Sequence, residues 1–149
     1  MQIITLNLNG IRAAAKKGFL SWLVEQSADI VCVQELKAQM PDLVEDMLEP
    51  NGYHGYFHCA EQKGYSGVGI YSRIQPDRVI EGVGIAEIDA EGRFLQVTYG
   101  QLSIISLYLP SGSSGEHRQA AKFFFMEKFF PILKTLKDSG QEIILCGDW

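Results

Sequence analysis

The chain has 149 residues, 46% of them hydrophobic, with 13 basic and 18 acidic side chains and a formal net charge of −5. Such a length and composition give one domain with a sizeable core and exclude a disordered chain. The negative balance repels a polyanion at long range, so any contact with nucleic acid must rest on a local basic patch or a metal ion. Cys32, Cys59 and Cys146 lie in apolar runs without metal-ligand spacing. Neither a disulfide framework nor a zinc site is expected, and a reducing, cytoplasmic setting fits. No apolar run approaches the ~18 residues of a membrane span, and the first residues lack the basic start of an export signal, so a soluble protein with no membrane partner is expected.

In chain order, residues 2–8, rich in Ile and Thr, predict a strand. The turn Asn9-Gly10 leads into a helix over 12–26, with Ala15, Phe19, Trp22 and Leu23 at helical spacing and Gly18 as a local weak point. The run IVCV at 30–33 is too short for a helix and mostly β-branched, which predicts a strand buried on both faces that ends at Gln34-Glu35. The two strands form a β–α–β unit and are expected to be parallel. A short helix over 41–48 follows, then strands over 55–59, 67–72, 94–99 and 102–109, the last two joined by a tight hairpin at Gly100-Gln101. A capping-box pattern of Ser113 with Glu116 opens a long helix to about residue 137, which Pro131 should kink or interrupt. A last strand over 142–146 runs into Gly147-Asp148-Trp149. There is no linker or repeat, and a buried-looking strand so near the final residue predicts an incomplete domain.

In α/β sheets ligands collect beyond the carboxyl ends of strands. Asn7 and Asn9, Gln34 and Glu35, Tyr108 and Asp148 stand at four such ends. Together they offer only oxygen donors, a hard set suited to Mg²⁺ or Mn²⁺ and to phosphoryl transfer. Asp148 would orient and deprotonate a water and Tyr108 would contact a phosphate oxygen. Each also has a purely structural reading: Asn7 as a turn cap, Glu35 as a solvated strand end, Tyr108 as a satisfied core aromatic, Asp148 as a turn residue.

Six motifs occur in order along the chain: LNLNGIRA (6–13), VQELK (33–37), GYSGVGIYSR (64–73), EGR (91–93), SLYLP (106–110) and LCGDW (145–149). In order and spacing they resemble the exonuclease III family, which includes the abasic-site endonucleases of DNA repair. The resemblance implies an α/β fold, the four-layer αββα sandwich that is similar to DNase I. It implies a Mg²⁺-dependent phosphodiesterase, with Mn²⁺ as a second candidate, that incises double-stranded DNA 5′ to abasic sites and trims 3′ ends. Carried over position by position, Asn7 and Glu35 resemble metal ligands, Asp148 the aspartate that shares the metal site and activates water, and Tyr108 the active-site tyrosine. Asn9 and Lys37 would support that cluster, while Arg12, Lys17, Gly64 and Tyr65 look like DNA contacts.

There are departures from the family pattern. Asn9 stands where some members have Asp, and after SLYLP the loop reads SGSSGE, without the Asn or Arg of some relatives. Members continue past the GD motif with an asparagine, further aspartates and a late histidine, and His54, His58 and His117 match none of these positions. The chain is therefore expected to be the amino-terminal part of one domain over 1–149, broken off within that motif, from a monomeric parent. Two alternatives stand beside the nuclease: a fragment inactive without its remaining carboxyl-terminal part, and a phosphodiesterase or phosphatase acting on a small-molecule or lipid phosphate.

Overall fold

Side chains alternate across each strand, and here the alternation sorts them into three apolar layers. The computed structural model describes all 149 residues. β1 (Ile3–Asn7), β2 (Ile30–Gln34), β3 (His54–His58) and β4 (Val68–Ser72) form one sheet in the order β1-β2-β4-β3. β5 (Arg78–Glu81), β6 (Phe94–Tyr99), β7 (Leu102–Tyr108) and β8 (Glu142–Asp148) form a second, in that order. The pairs β1/β2 and β7/β8 are parallel and all the others antiparallel. The sheets face each other across a core of Ile30, Cys32, Val68, Ile70, Leu95, Val97 and Ile104.

The opposite faces are covered by helices. On the first sheet, α1 (Ile11–Lys16), α2 (Phe19–Glu25) and α3 (Glu45–Leu48) contribute Ile11, Phe19, Leu23 and Met47 to a core with Val31, Val33 and Phe57. On the second, α5 (Glu116–Asp138) buries Phe125 and Phe129 against Phe94, Ile105 and Leu107, with the single turn α4 (Ala86–Asp89) adding Ile88. The result is the four-layer αββα sandwich. Burying each such apolar side chain is worth about 1.5–3 kcal/mol, so these three cores carry the fold. No helix is long and apolar enough to cross a membrane.

Four local expectations need correction. The helix over 12–26 is two helices, because Gly18 adopts φ 98° and turns the chain between α1 and α2. The segment over 41–48 is a 3₁₀ turn at Met40–Asp42 followed by α3. The capping box at Ser113 does not form: α5 begins after Gly115 at φ 108°, and Ser113 Oγ bonds Ser111 Oγ at 2.8 Å instead. Pro131 lies inside an unbroken α5. Its exposed position turns the lost backbone bond toward water, where a widened turn costs least, while Phe125, Phe129, Leu133 and Leu136 hold the helix to the sheet on either side of it. Sequence periodicity also passed over β5 and α4, both only four residues long.

Gly92 and Gly100 share φ 58°, so an added side chain strains both backbones equally. A Cβ at Gly92 would stand 2.6–2.7 Å from backbone atoms of His58, Cys59 and Ala60, whereas one at Gly100 meets nothing within 4 Å. Gly100→Ala should cost about 1 kcal/mol and Gly92→Ala about 2–3 kcal/mol more, measured as a difference in urea-unfolding free energy. Equal losses would mean that the two loops around Gly92 are not packed as described.

Candidate active site

Period-two alternation places Asn7, Gln34, Tyr108 and Asp148 on the faces that look toward the opposite sheet, each at the last residue of its strand. Asn7 is paired with Gln34 and Tyr108 with Asp148 in the parallel registers. Gln34 is buried, and its Nε2 donates to Thr5 Oγ1 at 3.0 Å and to Ser106 Oγ at 3.1 Å, while Ser106 Oγ donates to Val33 O at 3.1 Å. The two bonds through Ser106 lock the sheets together one layer beneath the strand ends.

The link between the sheets at the surface is direct. Asn7 Nδ2 donates to Asp148 Oδ2 at 2.6 Å, and Asn7 Oδ1 accepts the Asn9 N–H at 2.7 Å, which fixes the orientation of the amide. Asp148 reaches this point because Gly147 precedes it. A Cβ there would lie 2.6 Å from Leu107 O on the neighbouring strand, so only glycine lets β8 run this close. Lys37 Nζ sits 3.1 Å from Glu35 Oε1 and donates to Asn9 Oδ1 at 2.6 Å.

Glu35 and Lys37 leave β2 through a strained segment. Asn9, Glu35, Lys37 and Ser66 all have positive φ, between 47° and 60°, which costs a non-glycine residue about 1–2 kcal/mol. Main-chain bonds hold them there: Gly10 N to Glu35 O at 2.8 Å, Ile11 N to Leu36 O at 2.9 Å, and Lys37 N to Ser66 O at 2.9 Å. Strain of this kind gathers at functional sites, where the surrounding structure over-determines the backbone.

Of the residues singled out by sequence, Asn7, Asn9, Glu35, Lys37 and Asp148 form one connected polar cluster, and Tyr108 borders it beside Asp148. Arg12 is tethered beside it, donating to Lys37 O at 2.8 Å and standing 3.8 Å from Asp42 Oδ1. Lys17 lies further out, on an open cleft with Asn9 and Phe19, and Gly64 is an exposed loop residue at φ 65° where an added Cβ would meet nothing within 4 Å. Tyr65 turns inward, away from a free position on the surface. Its hydroxyl accepts from Arg93 Nη2 at 2.7 Å and from Arg118 Nη1 at 3.0 Å, and it lies 3.2 Å from Glu91 Oε2, to which it donates.

Arg93 stands in the EGR motif, but sequence reasoning gave it no role. Its side chain is 3% exposed, with Nε 2.6 Å from Glu91 Oε2, Nη1 donating to Tyr108 O at 3.1 Å, and the guanidinium 5.2 Å from the Tyr108 ring centroid. The motif held one partner, Glu91, but the other two, Tyr108 and Tyr65, lie 15 and 28 residues away. Burial raises the Tyr108 phenol above its ordinary pKa; the Glu35 and Asp148 charges push the same way and Arg93 opposes them. The phenol is thereby kept protonated, a hydrogen-bond donor.

Nowhere in the chain do three or more His, Cys, Asp or Glu side chains gather closely enough to hold a metal ion by themselves. The cluster nonetheless fits a hard cation that keeps several waters, because Mg²⁺ is usually held by only one or two carboxylates. Glu35, Asp148 and the Asn7 carbonyl are all oxygen donors, and Lys37 beside Glu35 supplies a positive charge at the place a cation would share.

Comparisons with known proteins agree with this architecture. The chain is 38% identical over 149 residues to an exodeoxyribonuclease of Bacillus subtilis (strain 168), covering 99% of this chain and 58% of the relative. It is 32% identical to a DNA-(apurinic or apyrimidinic site) endonuclease of Dictyostelium discoideum, covering 99% of this chain and 41% of that protein. Among solved structures, an AP endonuclease from Archaeoglobus fulgidus superposes with a TM-score of 0.85 at 29% identity, over 99% of this chain and 57% of its own. The chain thus spans roughly half the length of the relatives it matches. With a match to the family model over residues 4–149, the chain belongs to the endonuclease/exonuclease/phosphatase family.

Proposed function

We propose that this chain supplies the core of a metal-dependent DNA-repair phosphodiesterase that incises duplex DNA on the 5′ side of abasic sites and removes nucleotides from 3′ ends. The observation that carries this reading is the connected cluster of Asn7, Asn9, Glu35, Lys37 and Asp148 at the strand ends, with Tyr108 bordering it. The names of its relatives, an exodeoxyribonuclease and an abasic-site endonuclease, support DNA as substrate.

Glu35, with Asp148 and the Asn7 carbonyl, would hold Mg²⁺ or Mn²⁺. When bound, that cation neutralises charge developing on the phosphate and on the departing oxygen. Asp148 orients the attacking water and takes its proton, and the Asn7 amide at 2.6 Å keeps the carboxylate aimed. Protonated Tyr108 donates to a non-bridging phosphate oxygen, a bond that strengthens as charge builds there. Lys37 holds Glu35 and Asn9 in place until substrate and cation arrive. Arg12 and Lys17 grip phosphates on the α1 side, and the Gly64-Tyr65 loop lies against the groove beside the lesion. Little base-edge readout is needed, since a nucleotide without a base is cheap to swing out of the stack.

Incision of an end-labelled duplex carrying one abasic-site analogue tests the proposal. Cleavage should require Mg²⁺, stop in EDTA, and fall at least about 100-fold in Glu35→Ala. Metal-dependent incision that survives Glu35→Ala would remove Glu35 from the site. In the same assay Tyr108→Phe should lose about 100-fold in kcat with little change in KM, because its hydrogen bond matters most in the transition state. A loss confined to KM would assign Tyr108 to binding alone.

A further inference from the structure

Two cations on α5 are used by none of the roles above. Arg118 and Lys122 stand one helical turn apart, so their side chains share a face with Cβ atoms about 5–6 Å from each other. A like-charged pair at this spacing destabilises a helix unless something neutralises it. The five ion pairs of the chain involve Arg12, Lys37, His54, Arg93 and Lys134, so neither Arg118 nor Lys122 has a carboxylate partner.

Both are nevertheless positioned. Arg118 Nη1 donates to Tyr65 Oη at 3.0 Å, with its guanidinium 5.8 Å from that ring's centroid, and Tyr65 is in turn fixed by buried Arg93. One donor is thus directed at a neutral phenol, leaving four N–H groups of an exposed guanidinium free. The half-buried Lys122 stem would lie 3.6 Å from a Cβ at Gly112, and the residue lines an open cleft of about 590 Å³. Tyr108, Ser111, Ser113, Gln119 and Asp148 line the same cleft. The cleft opens from the strand ends on the side of the second sheet.

We infer that Arg118 and Lys122 form a second phosphate-binding flank, which holds the DNA backbone on the α5 side of the site while Arg12 and Lys17 hold it on the α1 side. This rests on the reading of DNA as substrate and extends it: a polyanion crossing the ends of both sheets meets one pair of cations from each outer helical layer. The SGSSGE loop carries no cation of its own, and Arg118 supplies the positive charge from the first turn of the helix that follows it. Its anchoring through Tyr65, itself held by Arg93, gives that charge a defined place despite its exposure.

Salt-dependent binding tests this without requiring cleavage. Fluorescence anisotropy with a short labelled duplex in EDTA, from about 50 to 200 mM KCl, gives the slope of log K against log salt concentration, whose magnitude drops by about 0.9 for each phosphate that the protein ceases to neutralise. Arg118→Gln should lower the slope by about 0.9 and Arg118→Gln with Lys122→Gln by about 1.8. Arg118→Lys should restore the slope of the unsubstituted protein. Lys134→Gln, at the far end of the same helix, removes the same charge and should leave the slope unchanged. An unchanged slope in the double variant, or an equal fall in Lys134→Gln, overturns the flank while leaving the DNA reading intact. Absence of salt-dependent binding by the unsubstituted protein overturns both.

Discussion

A buried amide between two apolar sheets is tolerable only when it is paired, since an unsatisfied one costs about 1–3 kcal/mol. Gln34 is that amide: one bond, to Thr5 on β1, stays within its own sheet, and the other, to Ser106 on β7, exists in only one relative placement of the two sheets. In that placement the carboxyl ends of β1, β2, β7 and β8 meet at one edge. Slippage of any of these strands by one residue would turn its terminal polar side chain to the opposite face and dismantle the cluster. The residue next to the catalytic candidate Glu35 therefore decides where the chemistry can be.

Above that layer, the site is held open against its own strain. Asn9, Glu35, Lys37 and Ser66 occupy backbone conformations that their side chains disfavour, and they keep them because three loops exchange main-chain hydrogen bonds. The loop carrying Tyr65 and Ser66 is also fastened to Tyr108 through Arg93, so Tyr65 and the end of β7 share one buried cation.

Much of this was legible in the sequence. The strands IITLN and IVCVQ announced themselves by β-branched runs, and the rule that ligands gather past strand ends picked out Asn7, Glu35, Tyr108 and Asp148 without any contact map. What escaped were features decided by distant partners. The role of Arg93, quoted only as part of EGR, is visible once Tyr108 and Tyr65 are in place, and Arg118 only once the Tyr65 loop lies beside α5. The missed cap at Ser113 and the unbroken helix through Pro131 are cases in which tertiary packing of Phe125 and Phe129 overrode local preference. β5 and α4 are too short for a period to be counted.

The ends of four strands from two sheets converge on one set of oxygen donors, proposed here to hold a hard cation. Mn²⁺, which prefers oxygen ligands as Mg²⁺ does, makes that site directly observable. An anomalous difference map from crystals soaked in Mn²⁺ should show a principal peak bonded to a Glu35 carboxylate oxygen, with Asn7 and Asp148 around it. A peak bonded to other residues, with none at Glu35, would contradict the account.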